Sequence, residues 1–168
     1  MDLSELEGEL ANCQACPLRQ DAIAPVGWYG NPESPIVFVG EGPGQVEDDY
    51  GCPLIGPSGQ LLDKALWAAK MTRDRVLTTN VIKCRPKNNR TPDIAEADFC
   101  AKQWLQRELE IIQPKVIVAL GSVALLVWDD RICALRATAA CGSARSRALI
   151  ALLPTIRRIC CVSTVSSW

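Results

Sequence analysis

The stretch Pro35-Ile36-Val37-Phe38-Val39-Gly40-Glu41-Gly42-Pro43-Gly44 decides the fold. Four apolar, largely β-branched residues between a proline and a glycine-rich segment read as a buried strand that runs straight into a tight loop. Working outward, the same grammar recurs. A second strand is expected over about Arg75 to Ile82 and a third over Lys115 to Leu120. Between them lie helical patterns. Ser58 is the expected N-cap of a helix reaching Lys70, with Leu61, Leu62, Ala65, Leu66 and Ala69 on its inner face. Thr91-Pro92 starts another whose apolar face runs through Ile94, Ala97, Ala101, Leu105, Leu109 and Ile112. Leu3, Leu6 and Leu10 place a short helix before Cys13, and Ser122 to Trp128 a short one after Gly121. Strands alternating with helices predict an α/β fold, a three-layer α/β/α sandwich with a mainly parallel central sheet. Ligands of such sheets bind beyond the carboxyl ends of the strands, so the loops after Val39, Ile82 and Leu120 should surround one site.

The chain has 168 residues, enough for one domain with a substantial core, and 48% hydrophobic with 22% charged residues is an ordinary soluble balance. The acidic start Met1-Asp2-Leu3-Ser4-Glu5 has no basic leader, and no apolar run approaches the roughly 20 residues of a membrane span, so a cytoplasmic protein without a membrane partner is expected. Nine cysteines in that compartment favour metal or cluster ligation over a disulfide framework, although any single cysteine can be a small buried hydrophobe. Cys13 and Cys16 form a CxxC, Cys84 follows the second strand directly, and Cys100 lies on the inner side of the next helix. Four thiolates from separate segments suit a tetrahedral zinc and a cubane iron-sulfur cluster equally well.

Charge divides the chain unevenly. All 19 acids lie at or before Asp130, giving residues 1–130 a net charge of −7, whereas residues 131–168 carry six Arg, no Lys, no acid and four cysteines. A basic nucleic-acid-binding tail would mix Lys with Arg and would not be rich in cysteine.

The spacing of Cys13, Cys16, Cys84 and Cys100 resembles the ligand pattern of the family 4 uracil-DNA glycosylases, and three further motifs in the same order resemble that family too. These are Gly40-Glu41-Gly42-Pro43-Gly44; Gly51-Cys52-Pro53-Leu54-Ile55-Gly56-Pro57-Ser58-Gly59 with Leu61-Leu62-Asp63; and Asn80-Val81-Ile82-Lys83-Cys84-Arg85-Pro86. The likeness covers about residues 3–128. It implies a 4Fe-4S cluster on the four cysteines and a monomeric base-excision-repair hydrolase that splits uracil from flipped-out deoxyuridine in DNA.

By that resemblance, Gly40, Glu41, Gly42, Leu54 and Asn80 bind uracil, and Glu41 and Asn80 are catalytic. Asn80 offers one acceptor and two donors, which suits the N3–H and O4 edge of uracil; on its own it reads equally as a strand-end turn residue. Glu41 could orient water or stabilise a cationic sugar, and the glycine loop could point N–H groups at the leaving base or form a simple turn. Lys83, Arg85, Lys87 and Arg90 are expected to contact phosphate, the alternative being a solvated basic loop. Asp48 and Asp49 read as solvated charges.

Two departures stand out. Leu54 occupies a position where the family usually has a stacking Phe. The family's C-terminal His-Pro-Ser motif is missing, since the chain contains no histidine. The segment Thr155-Ile156-Arg157-Arg158-Ile159-Cys160-Cys161-Val162 can be encoded so that the frame two bases later reads His-Pro-Ser-Tyr-Leu-Leu-Arg. The expectation is therefore a glycosylase-like domain over 1–130 and an out-of-frame tail over 131–168, which would leave the sheet one strand short and the uracil pocket without one arm. A scaffold that binds uracil or DNA with impaired catalysis is the alternative; a zinc-stapled α/β domain of unrelated function is a third.

Overall fold

In a computed structural model of the chain, residues 2–127 are described throughout, together with the backbone of the strands Ala148–Ala151 and Cys160–Thr164. The elements in order are α1 (Leu3–Ala11), β1 (Tyr29–Gly30), β2 (Ile36–Gly40), α2 (Gln45–Tyr50), α3 (Pro57–Ala68), β3 (Leu77–Asn80), α4 (Ile94–Cys100), a π-helical stretch (Ala101–Leu105), α5 (Gln106–Ile112), β4 (Val116–Leu120), a last helix α6 at residues 122–127, β5 (Ala148–Ala151) and β6 (Cys160–Thr164).

The α/β class stands. One six-stranded sheet runs in the order β1-β3-β2-β4-β6-β5. Its centre, β3-β2-β4, is parallel, with Gly40 opposite Asn80 and Val39 opposite Ala119. The flanks are antiparallel, so the sheet as a whole is mixed rather than mainly parallel. Beyond β4, where the sequence predicts a missing strand, the backbone of β6 lies antiparallel from Val116 to Leu120, with β5 outside it. Trp128 and the rest of the tail, including the start of the segment bearing the alternative frame, fall outside the described residues.

Alternation along β2 builds two cores. Val37 and Val39, 0% and 1% exposed, face a layer of Leu6, Leu10, Leu105 and Ala101, whereas Ile36 and Phe38 pack with Leu62, Leu66 and Val76 on the α3 side. Helix boundaries follow local chemistry. Asp2 and Glu5 close a capping box on α1, and Asp93 with Glu96 closes one on α4, two residues after the expected Thr91 start. Helix α3 begins at Pro57 with Gly56, not Ser58, at the N-cap, because proline at the first helical position sacrifices no bonded N–H.

Candidate active site and cysteine cluster

The parallel pairing of β2 with β3 continues past both strand ends, as Val81 N donates to Gly40 O (2.9 Å) and Ile82 N to Glu41 O (3.1 Å). That extension delivers Gly40, Glu41 and Asn80 to one edge of the sheet. A cleft of about 550 Å³ opens there, lined among others by the backbone of 40–44, Leu54, Ile82, Arg90, Leu120 and Gly121. The predicted pocket residues Gly40, Glu41, Gly42 and Leu54 thus share one wall.

Asn80 lies beneath that wall, 0% exposed. A β-carbon on Gly40 would come within 2.4 Å of Asn80 Oδ1, so only glycine lets the amide sit so close under the loop. The amide is orphaned: neither Asn80 Oδ1 nor Nδ2 has a partner among the described residues. Leaving a buried donor or acceptor unsatisfied costs about 1–3 kcal/mol for each group, so a ligand edge offering one donor and one acceptor would recover that cost.

Two residues the sequence reading passed over hold the wall in place. Glu47 is buried, and its carboxylate accepts N–H groups from Gly44 (3.1 Å), Ile55 (3.2 Å) and Gly56 (2.8 Å), clamping the glycine loop to the loop that carries Leu54. The spacing of Gly44 and Glu47, N-cap and third helical position of α2, was the available signal. Arg73 donates to the carbonyls of Leu54 (2.6 Å) and Gly59 (3.0 Å). It braces Leu54 at φ 54°, a backbone conformation that costs a branched residue roughly 1–2 kcal/mol. A β-carbon on Gly59 would lie 1.8 Å from Leu54 O, so Gly59→Ala is expected to lower stability by more than about 2 kcal/mol and to displace Leu54, measurable as an earlier urea midpoint.

The basic quartet divides. Lys83 is a correction: 1% exposed, its ammonium binds Glu108 Oε2 (2.7 Å) and Thr79 Oγ1 (2.6 Å) inside the core and does not reach a phosphate. Burial without a carboxylate would be prohibitive, and Glu108 supplies one. Arg85 bonds Asn89 Oδ1 (2.7 Å) and lies 3.9 Å from Asp48. Arg90, on the cleft rim, makes a two-pronged pair with Glu96 at 2.8 and 2.7 Å, and Lys87 is exposed. Asp48 also departs from expectation. It is 4% exposed and accepts Ile23 N at 3.0 Å, whereas Asp49 does face solvent.

On the opposite face of the sheet, Cys84 and Cys100 are buried, and half-buried Cys13 and Cys16 pack against the same core. All four are free thiols. Burial, then the nearby Cys100, Cys16 and Cys13, push the Cys84 thiol up to about 12, with Arg19 opposing; burial pushes Cys100 up to about 11, against a hydrogen bond from Lys83 N. That bond spans 3.4 Å to Cys100 Sγ. Arg19, one 3-10 turn beyond Cys16, donates through Nη1 to Ala22 O (2.8 Å), while its buried Nε has no acceptor among the described residues. Among those residues no three His, Cys, Asp or Glu converge tightly enough to hold a single metal ion.

These thiols predict a pH dependence for the chain without metal. Below the ordinary thiol value of 9.0 folded and unfolded chains both keep the proton; above it the unfolded chain sheds its protons first. Stability is therefore fully present below pH 9.0 and falls as pH rises toward 12, which melting temperatures across that range will show.

No helix among the described residues is long and apolar enough to cross a membrane. A family model for the uracil DNA glycosylase superfamily matches residues 28–160. The chain is 45% identical over 130 residues to the type-4 uracil-DNA glycosylase of Thermotoga maritima, covering 77% of this chain and 67% of that protein. It is 43% identical over 122 residues to the type-4 enzyme of Archaeoglobus fulgidus (73% and 61%) and 40% identical over 124 residues to that of Pyrobaculum aerophilum (74% and 63%). The chain spans roughly three fifths to two thirds of the length of these relatives.

Proposed function

We propose, on the premise that this chain belongs to the uracil DNA glycosylase superfamily, in its type-4 branch, that it is a cytoplasmic, monomeric base-excision-repair enzyme acting on uracil in DNA. The observation that carries this is the orphaned amide of Asn80 under Gly40 and Leu54 at the exits of β2 and β3. A flipped uracil presents N3–H and O4 side by side, and Asn80 can meet them with Oδ1 and Nδ2. Cytosine offers an amino group where uracil has O4, and meets that same Nδ2 donor with a second donor.

Hydrolysis breaks the bond between uracil N1 and deoxyribose C1′, the electron pair leaving with the base, and forms a bond from water oxygen to C1′. The N–H donor of Asn80 and the backbone of 40–44 stabilise charge that grows on the leaving uracil; removing one such donor typically costs about 10²–10³ in rate. Glu41, on the cleft wall, holds the water or faces the cationic sugar and takes up the proton released as water adds. Arg85, Lys87 and Arg90 present positive charge on the loop after Cys84 and steer the phosphate backbone toward the cleft.

The donor set on the far face fits a 4Fe-4S cluster. Four free thiols, Cys84 and Cys100 buried and Cys13 and Cys16 half-buried against the same core, are the all-sulfur donor set that a cubane takes. Lys83 N donates toward Cys100 Sγ, and the positive charge of Arg19 lies near enough to Cys84 to favour its thiolate, as an anionic cluster requires. Cys13, Cys16, Cys84 and Cys100 would hold it, and when bound it staples the N-terminal segment to the core. The residues after about 131 are read as out of frame, so this chain supplies the scaffold and Asn80 without the histidine arm of the pocket.

Alkali treatment of a single-uracil oligonucleotide, after incubation with anaerobically purified chain, reports abasic sites directly. Cleavage at uracil supports the assignment, and an intact strand in the presence of a loaded cluster removes it. Leu54→Phe restores a stacking ring over the base and is expected to tighten uracil-DNA binding about tenfold, as base–aromatic stacking is worth about 1–3 kcal/mol; competition binding with uracil and thymine oligonucleotides measures it.

A further inference from the structure

Lys83 is held at both ends by one helix run. Its backbone N–H reaches Cys100 Sγ at 3.4 Å, and its ammonium reaches Glu108 Oε2 at 2.7 Å. Eight residues separate Cys100 from Glu108, and on a regular α-helix they would face about 80° apart. The π-helical stretch Ala101–Leu105 accommodates one extra residue and takes about 100° off the total turn, leaving the two side chains only about 20° apart and both toward β3. Thr79 completes the network: its hydroxyl donates to Glu108 Oε2 at 2.8 Å and accepts from Lys83 Nζ at 2.6 Å.

All three members are buried, at 0% for Thr79, 1% for Lys83 and 2% for Glu108. Thr79 is the residue before Asn80, and because strand side chains alternate, Thr79 points to the cysteine face while Asn80 points under the cleft. The Asn80 amide has no hydrogen bond of its own among the described residues. Its height under Gly40 is therefore set by the strand, and the strand is fastened from behind by Thr79.

We propose that Lys83 and Glu108 are positioning residues for Asn80, tying the base-reading amide to the helix that carries Cys100. This rests on the reading of Asn80 as the uracil contact. A buried pair this well bonded is neutral or costly for stability compared with apolar residues, so a role in placement accounts for it better than a role in holding the fold.

Nuclear magnetic resonance of the labelled full chain, reconstituted with iron and sulfide, tests this without relying on turnover. The Asn80 side-chain amide pair is identified as the one missing from Asn80→Ala. Glu108→Gln keeps the shape and removes the charge; Thr79→Val leaves the ion pair and cuts its link to the strand. Both are expected to shift or broaden the Asn80 pair and to weaken binding of free uracil at least tenfold, with iron content and visible absorption unchanged. If Glu108→Gln does not fold, Thr79→Val alone decides. An Asn80 pair that stays put in a folded, iron-loaded variant overturns the proposal, even where the melting temperature has dropped. Wild-type chain whose Asn80 pair ignores uracil would defeat the substrate reading instead, while the ligand-free comparison of the variants still decides this one.

Discussion

Asn80→Ala is expected to reduce uracil excision by a factor of about 10²–10³ while leaving the iron-sulfur absorption intact. The size reflects what the amide does. Its Oδ1 and Nδ2 are buried without partners among the described residues, the acceptor and donor proposed to meet uracil, and alanine removes the two together. Stability should move the other way. The folded chain no longer buries two unsatisfied polar atoms, and a recovery of about 1–3 kcal/mol per group is set against the small cavity left behind. A variant that is inactive yet at least as stable as the parent would mark Asn80 as a residue kept for its ligand. Single-turnover excision and urea unfolding, run on the same preparation, separate the two effects; comparable activity with and without the amide would rule out the proposed base contact.

The second large effect concerns the tail. Restoring the alternative frame, so that His-Pro-Ser-Tyr-Leu-Leu-Arg replaces the segment beginning at Thr155, is expected to raise excision about a hundredfold or more. A histidine donor beside the base adds charge stabilisation of the kind for which single donors are worth about 10²–10³. In the present chain β6 reaches the sheet antiparallel to β4, through Cys160, Cys161 and Val162. A parallel strand feeding its carboxyl end toward the cleft would instead place the motif where β2 and β3 place Gly40 and Asn80. The frame-corrected chain and the present one, compared at equal iron content on one oligonucleotide, show whether the arm is missing. Equal rates would remove the frame explanation.

Local patterns made most of the scaffold legible in the sequence. Strand patterns over Ile36 to Val39 and about Arg75 to Ile82 predict neighbouring strands whose exits meet; the structure pairs Gly40 with Asn80, where the second strand ends two residues earlier than expected. Four cysteines in three segments predict a shared site, and the structure packs Cys13, Cys16, Cys84 and Cys100 against one core. What escaped depends on partners distant along the chain. Lys83 stands two residues before Arg85 and reads as a phosphate contact or a solvated loop charge; its burial is decided by Glu108, 25 residues on, and by a π-helical turn that no helical periodicity reveals. Asp48 likewise looks like one more loop charge until Ile23 and Arg85 meet it. Arg73 acts on the carbonyls of Leu54 and Gly59, and Glu47, beyond its capping spacing to Gly44, on the N–H groups of Ile55 and Gly56; such backbone partners leave no side-chain signature in a sequence.

The proposed removal of uracil from DNA through Asn80 is the step on which everything else depends. It is measured as release of free uracil from a single-uracil, single-stranded oligonucleotide, chromatographed after anaerobic incubation with iron-loaded chain and, in parallel, with iron-loaded Asn80→Ala. Slow release by the chain as it stands, well above the Asn80→Ala background, is the expected result. Release no greater than that background, from protein with a full cluster, would contradict it.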